Sequence, residues 1–158
     1  MTIKLIVADD HPIFRDGLVT TLSETGDFDV LGVGASAGEA VALARKHTPD
    51  VALLDLSMPG GGIEAAKEIV AGQLATHVAM LTVSEDDADV ARALQVGAIG
   101  YLLKGVSAEE LRRVLRGIAR GDPHVSPGLA AQVLKMMQAP KQKTQNPLDD
   151  LTKREEEI

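Results

Sequence analysis

Apolar residues in this chain gather in short runs, and each run ends abruptly at a polar residue or a turn. β-Branched and aliphatic side chains crowd positions 3–8, 29–34, 51–54, 78–82 and 99–103, as strands buried on both faces require. Between them lie longer stretches with apolar positions at helical spacing, near 12–24, 37–47, 62–72, 86–96 and 107–120. Strand alternating with helix predicts an α/β fold, a doubly wound five-stranded parallel sheet with crossover helices. Boundary residues agree: Pro12 suits a first helical turn, Ser36 precedes a run containing Glu39, and Ser107 stands three residues before Glu110 as in a capping box. Gly26, Gly97 and Gly121 follow helical segments, where a left-handed cap is wanted.

The polar residues that end the runs carry the chemistry. Asp9 and Asp10 follow the first, Asp55 the third, Thr82 the fourth and Lys104 the fifth. In an open parallel sheet these positions meet outside the carboxyl ends of the strands, where such folds bind ligands. Carboxylates massed there repel one another unless a positive charge joins them. An oxygen-only cluster with one lysine suits a hard divalent cation, Mg2+ above all, together with a phosphoryl group. Asp55 is a competent nucleophile toward phosphorus, giving an aspartyl phosphate; the alternative is a helix cap or turn residue before Met58-Pro59. Thr82 and Lys104 supply a hydroxyl and a compact cation, the groups that hold phosphoryl oxygens. Tyr101, the single tyrosine, reads either as a half-buried sheet residue or as a rotamer coupled to Thr82.

Composition narrows the partners. With aromatic residues at 2% the core must be aliphatic, and the absence of cysteine excludes disulfides and thiolate metal sites. No apolar run approaches membrane-spanning length, so a cytoplasmic protein with no membrane partner is expected. Up to Arg120 there are 11 Lys and Arg against 17 Asp and Glu, and 5 against 6 beyond it; neither part shows the basic surface of a DNA binder. His11 beside Pro12 is read as a surface or capping residue rather than a catalytic one, and His47, His77 and His124 show no ligand spacing. Gly60-Gly61-Gly62 lacks the lysine of a phosphate-binding loop and is read as giving the loop after Asp55 its freedom.

After Gly121 the pattern changes. A helix is expected over 127–138, from Leu129, Val133, Leu134 and Met137, and a proline-bearing polar linker over 139–150. In LTKREEEI, Thr152 precedes Glu155 by three residues, which predicts the capped start of another helix.

Four segments in order, IVADDHPIFRDGL, LLDLSMPG, MLTVSE and GYLLKG, resemble a two-component response regulator of the NarL/FixJ type. The resemblance covers residues 1–121 as a receiver domain with the flavodoxin-like, CheY-like fold. It implies that Asp55 takes a phosphoryl group from a histidine kinase, that Asp10, Asp55 and the backbone carbonyl of Ser57 ligate Mg2+ with Asp9 supporting the ion through water, and that Tyr101 is the switch aromatic. Residues 122–150 become the linker, and 151–158 resemble the opening of an all-α LuxR-type helix-turn-helix domain. The chain is accordingly read as a fragment of a transcription regulator that reaches DNA only through a further C-terminal domain, with homodimerisation on phosphorylation. Two departures stand out: Gly105 occupies a place where many receivers carry proline, and the Gly60–Gly62 segment is one residue shorter than the common form. A Mg2+-dependent phosphohydrolase with an aspartyl nucleophile is the rival from another class, although it wants a second aspartate where Ser57 stands. An interaction module that no longer accepts phosphate is the other.

Overall fold

The computed structural model describes residues 2–83 and 87–125. The expectations for the helix over 127–138, the linker over 139–150 and the capped start at 151–158 lie outside the described residues.

Five strands and five helices alternate: β1 (Ile3–Ala8), α1 (Pro12–Ser23), β2 (Phe28–Gly34), α2 (Ala37–His47), β3 (Val51–Asp55), α3 (Gly62–Ala71), β4 (His77–Thr82), α4 (Asp87–Gln95), β5 (Gly100–Leu103) and α5 (Ala108–Ala119). A further strand, β6 (His124–Val125), is not among those the sequence predicts. It pairs in parallel with Gly100 and Tyr101 of β5 and extends the predicted five-stranded sheet at one edge, giving the order β2-β1-β3-β4-β5-β6. Two residues are too few to show a period.

Every residue of β3 is buried, as an apolar run in a sheet covered on both faces should be. Side-chain alternation divides the core between those faces. Ile6, Ala52, Leu54, Met80 and Tyr101 pack with α2, α3 and α4. Leu5, Val7, Leu53, Leu81 and Leu102 pack with Leu18 and Leu22 of α1 and Leu111, Leu115 and Ile118 of α5. Tyr101 is fully buried, not half-buried.

Helix starts follow the local signals. Pro12 opens α1, and the Ser36 hydroxyl accepts from the Glu39 N–H while Glu39 reaches back to the Ala35 N–H at 2.7 Å. At α5 the Ser107 hydroxyl accepts from the Glu110 N–H, but the Glu110 carboxylate turns to Arg113 at 2.6 Å instead of closing the box. An exposed guanidinium three residues on, one face along the helix, outcompetes the backbone N–H.

The order of strands fixes where a ligand can bind. From β1 the chain moves to β2 on one side and then to β3 on the other, so the connection reverses between β1 and β3. Ala8 pairs with Leu54, and Asp9 and Asp55 follow by one residue at the carboxyl ends, over that reversal.

Candidate functional site

Three carboxylates and an ammonium converge at this edge. Asp9 is held by its N–H donating to the Gly34 carbonyl at 3.0 Å and by the Arg15 guanidinium donating to the Asp9 carbonyl at 3.0 Å. Lys104 arrives because β5 continues alongside β4, with the Lys104 N–H donating to the Thr82 carbonyl at 2.7 Å. Its Nζ lies 2.8 Å from Asp9 Oδ2 and 3.2 Å from Asp55 Oδ1. Asp9 is 1% exposed, Asp55 2% and Thr82 4%. Thr82 ends β4, and β-strand alternation puts it on the face of Met80 and Tyr101, the side of α4. The structure thus brings Asp9, Asp10, Asp55 and Lys104 into one cluster, with Thr82 buried at the end of the neighbouring strand. Ser57 lies in the exposed turn after β3, its hydroxyl 3.4 Å from Asp55 Oδ2. After Lys104 the Gly105 turn is closed by the Val106 N–H to the Leu103 carbonyl at 3.3 Å.

The sequence reads His11 as a surface or capping residue, and that is half of what the structure shows. Its ring is 58% exposed, yet it makes no capping bond. Instead Nδ1 lies 2.8 Å from Asp9 Oδ1 and 3.2 Å from Asp10 Oδ1. No spacing in the sequence signals this, since a histidine next to Pro12 shows nothing of which loops will meet it.

The carboxylates divide the strain of burial unequally. Burial pushes the Asp9 carboxyl up, but the Lys104 ammonium and the His11 N–H and ring outweigh it and leave Asp9 below its ordinary value. Asp55 is raised, by burial first and by the Asp9 charge second, with Lys104 offsetting only part. A raised folded pKa means that the native state holds a proton which the unfolded chain releases, so Asp55 supports the metal-free fold in acid and ceases to as pH rises through its folded pKa. Asp9 acts in the opposite sense, its contribution being present above the ordinary carboxylate range and lost as pH falls through its lowered folded pKa. At neutral pH without metal, Asp55→Asn is therefore expected to raise the melting temperature, and the gain should fade as pH falls toward the ordinary value of 3.8. Melting by circular dichroism in a chelator across pH decides this; a variant that melts lower at neutral pH would sink it.

Asp9 Oδ2 and Asp10 Oδ1 are buried without an aligned hydrogen-bond donor, although Asp9 Oδ2 touches the ammonium. Buried carboxylate oxygens left in this state suit a hard cation, and the donor set of three carboxylates fits Mg2+.

The response regulator receiver domain family matches this chain over residues 5–116. The chain belongs to that family. As a receiver domain it is 37% identical to the response regulator GacA of Pseudomonas aeruginosa over 158 residues, covering 99% of this chain and 73% of that protein. It is 38% identical to the probable transcriptional regulatory protein NarL of Mycobacterium tuberculosis over 128 residues, 80% of this chain and 59% of that one. Among solved structures, the signal receiver domain of the Mycobacterium tuberculosis NarL regulator superposes with a TM-score of 0.74 at 38% identity, over 76% of this chain and 98% of that domain. A LuxR-family two-component response regulator from Aurantimonas gives 0.80 at 32% identity, over 87% and 99%. The receiver fold and a two-component response regulator function are thereby established, and the phosphohydrolase is not favoured. Receivers bind Mg2+ at an acidic pocket of this kind, and this chain has the acidic cluster. No helix among the described residues is long and apolar enough to cross a membrane.

Proposed function

We propose that Asp55 is the phosphoacceptor of this receiver. The observation that carries the reading is the convergence of Asp9, Asp10 and Asp55 on the Lys104 ammonium, over the point where strand order reverses. An Asp55 oxygen attacks phosphorus of a phosphohistidine in a partner kinase; the phosphorus–nitrogen bond breaks, its electron pair stays on the imidazole, and an acyl phosphate forms. Asp10, Asp55 and the Ser57 carbonyl would ligate Mg2+, with Asp9 behind them, and the ion would neutralise charge on the phosphoryl oxygens. Lys104 and Thr82 hold those oxygens from the other side. Water later cleaves the acyl phosphate in the same pocket, which makes the receiver a participant in its own dephosphorylation rather than a turnover enzyme. Ser57 stands where an aspartyl phosphohydrolase would place its general acid, in keeping with this.

Access for the kinase is provided on one side. His11, Ile13, Phe14, Val83 and Lys104 line an open groove of about 650 Å3 against Asp55. Ile13 is 90% exposed and Val83 83%, apolar surface fit for a partner helix carrying the phosphoryl group.

Phosphorylation adds charge and acceptor oxygens at Asp55, draws Thr82 and Lys104 toward them and shifts Tyr101 and the surface of α4, β5 and α5. That surface, or α1 with α5, would then pair with a second copy. Residues 1–121 form the receiver in this reading, 122–150 the linker and 151–158 the start of a LuxR-type domain through which DNA is reached. A cytoplasmic location goes with this kinase-fed role.

Intact mass after incubation with Mg2+ and acetyl phosphate tests the assignment. One phosphoryl group is expected on the parent chain and none on Asp55→Asn. Phosphoryl uptake that survives the substitution would move the acceptor elsewhere, and no uptake by the parent would leave a scaffold that signals by contact.

A further inference from the structure

Arg45, Arg92, Arg112, Arg113, Arg116 and Arg120 each lie within 4.0 Å of a carboxylate. Arg15 has no such partner among the described residues, although Asp16 and Glu39 line the same groove, about 590 Å3 between α1 and the end of β2. It donates through Nη1 to the Asp9 carbonyl at 3.0 Å. The Arg15 N–H reaches the His11 carbonyl at 2.9 Å, one turn into α1, and helical side chains lean back toward the N-terminus. The guanidinium thus returns over the loop that precedes its helix, with a charge-assisted hydrogen bond stronger than a neutral donor would give.

The group it holds is the peptide that joins Asp9 to Asp10. Because a peptide unit is planar, a fixed Asp9 carbonyl also fixes the plane of the Asp10 N–H. The peptide on the other side of Asp10 is fixed by the His11 N–H, which donates to Asp9 Oδ1 at 2.8 Å. Two fixed planes determine the backbone angles of the residue between them, and with those the direction of its side chain. Asp9 has anchors besides, through Gly34 and Lys104. Asp10 does not: among the described residues neither its N–H nor its carbonyl makes a hydrogen bond, and its carboxylate is 32% exposed.

Resting on the reading of Asp55 as acceptor and Asp10 as an ion ligand, we propose that Arg15 is a positioning residue for phosphoryl transfer, aiming the Asp10 carboxylate by fixing the peptide before it. Arg15 does not line the groove against Asp55, and the groups that lower the Asp9 carboxyl are Lys104 and His11. It acts on the site through geometry, not through touch or charge. Without the guanidinium the peptide between Asp9 and Asp10 is free to turn, and the site must order Asp10 anew at each transfer. Groups that orient a ligand from behind in this way are typically worth about 10–100-fold in affinity or rate.

A double-variant cycle of Arg15→Met with Asp10→Asn tests this on the 158-residue chain, read by the rate of phosphoryl uptake in intact mass and by Mg2+ affinity in calorimetry. Methionine keeps an unbranched apolar stem and removes the donors. Arg15→Met alone is expected to slow uptake and weaken Mg2+ binding, each roughly tenfold, while melting in chelator close to the parent. Arg15→Lys, which keeps a cationic donor, should recover part of the loss. In the Asp10→Asn background the same change should alter either readout by less than about twofold, since no carboxylate is left to aim. Equal loss in both backgrounds overturns the proposal, because Arg15 then supports the loop and not Asp10; uptake at the parent's rate in Arg15→Met overturns it as well. A parent that takes up no phosphoryl group and binds no Mg2+ overturns the receiver reading beneath it, and is told apart because the parent itself is then inactive. Should Asp10→Asn take up too little to measure, the calorimetric arm carries the cycle, and should Arg15→Met fail to fold, Arg15→Gln is read in its place.

Discussion

Gly62→Ala is expected to lower the melting temperature by roughly 10 °C or more, from a loss of about 3–5 kcal/mol. Gly62 is the first residue of α3, and a Cβ there would run into the Asp55 carbonyl oxygen and lie 2.7 Å from the Leu56 Cα and 2.9 Å from the Asp55 carbonyl carbon. These are backbone atoms of the turn after β3. They cannot swing aside as a side-chain tip would, and they hold Asp55 itself. The turn is tied by the Gly62 N–H to the Leu56 carbonyl at 3.0 Å and the Leu56 N–H to the Leu81 carbonyl at 3.1 Å. Relief of the clash therefore displaces the acceptor, and phosphoryl uptake should fall along with stability. Gly17, inside α1 with nothing within 4 Å of the place a methyl would take, is the control. Gly17→Ala should stabilise by up to about 1 kcal/mol, the helix-propensity gain alone. Matched thermal melts of both variants decide it; a Gly62→Ala chain that melts with the parent would mean that α3 does not start against Asp55.

The same glycine shows what the sequence hid. Gly60-Gly61-Gly62 reads in the sequence as freedom for the loop after Asp55, and Gly60 and Gly61 do adopt φ of +86° and +90°. Gly62 does not have a positive φ; it is needed because helix and strand backbones touch. Close approach between segments leaves no local pattern. The βα units were legible because each strand is an apolar run buried on both faces and several helix starts carry their own proline or serine. The site was legible because a parallel sheet puts all strand ends on one edge, so residue type at five positions was enough to suggest the cluster. What was not legible came from contacts far apart in the chain. Arg116 on α5 donates to Asp27 at 2.7 Å and lies over the Phe28 ring, across 89 positions. Nothing around either residue announces the other. The full burial of Tyr101 is of the same kind, since it depends on how neighbouring strands align; of the contacts of the His11 ring, those to Asp9 and Asp10 are local and those to Asp55 and Lys104 are not.

Lys104→Met should be the most damaging change to the site, and its effect should depend on pH and metal in a defined direction. The ammonium is 9% exposed and bridges two carboxylates that are nearly wholly buried. Removing one partner from a buried ion pair typically costs about 3–5 kcal/mol, because the remaining charge stays desolvated and unpaired. Methionine fills similar volume, so the loss is one of charge. Asp9 is held below its ordinary value partly by this ammonium, and Asp55 would be raised further without it. Both folded pKa values then move up relative to the parent, the variant's native state binds more protons than the parent's does, and the deficit grows as pH rises through the raised values. The variant should approach the parent in mild acid and fall furthest behind at pH 7 and above. Mg2+ should restore part of the deficit, since a ligand that binds only the folded state stabilises by mass action and here replaces the missing positive charge. In the double variant with Asp55→Asn the cost should shrink, because one of the two stranded carboxylates is gone; a double-variant cycle in chelator measures that coupling. If Lys104→Met melts with the parent at pH 8 without metal, the ammonium is not what reconciles these carboxylates. If the deficit appears but Asp55→Asn leaves it undiminished, Asp9 alone carries it and Asp55 is solvated by other groups.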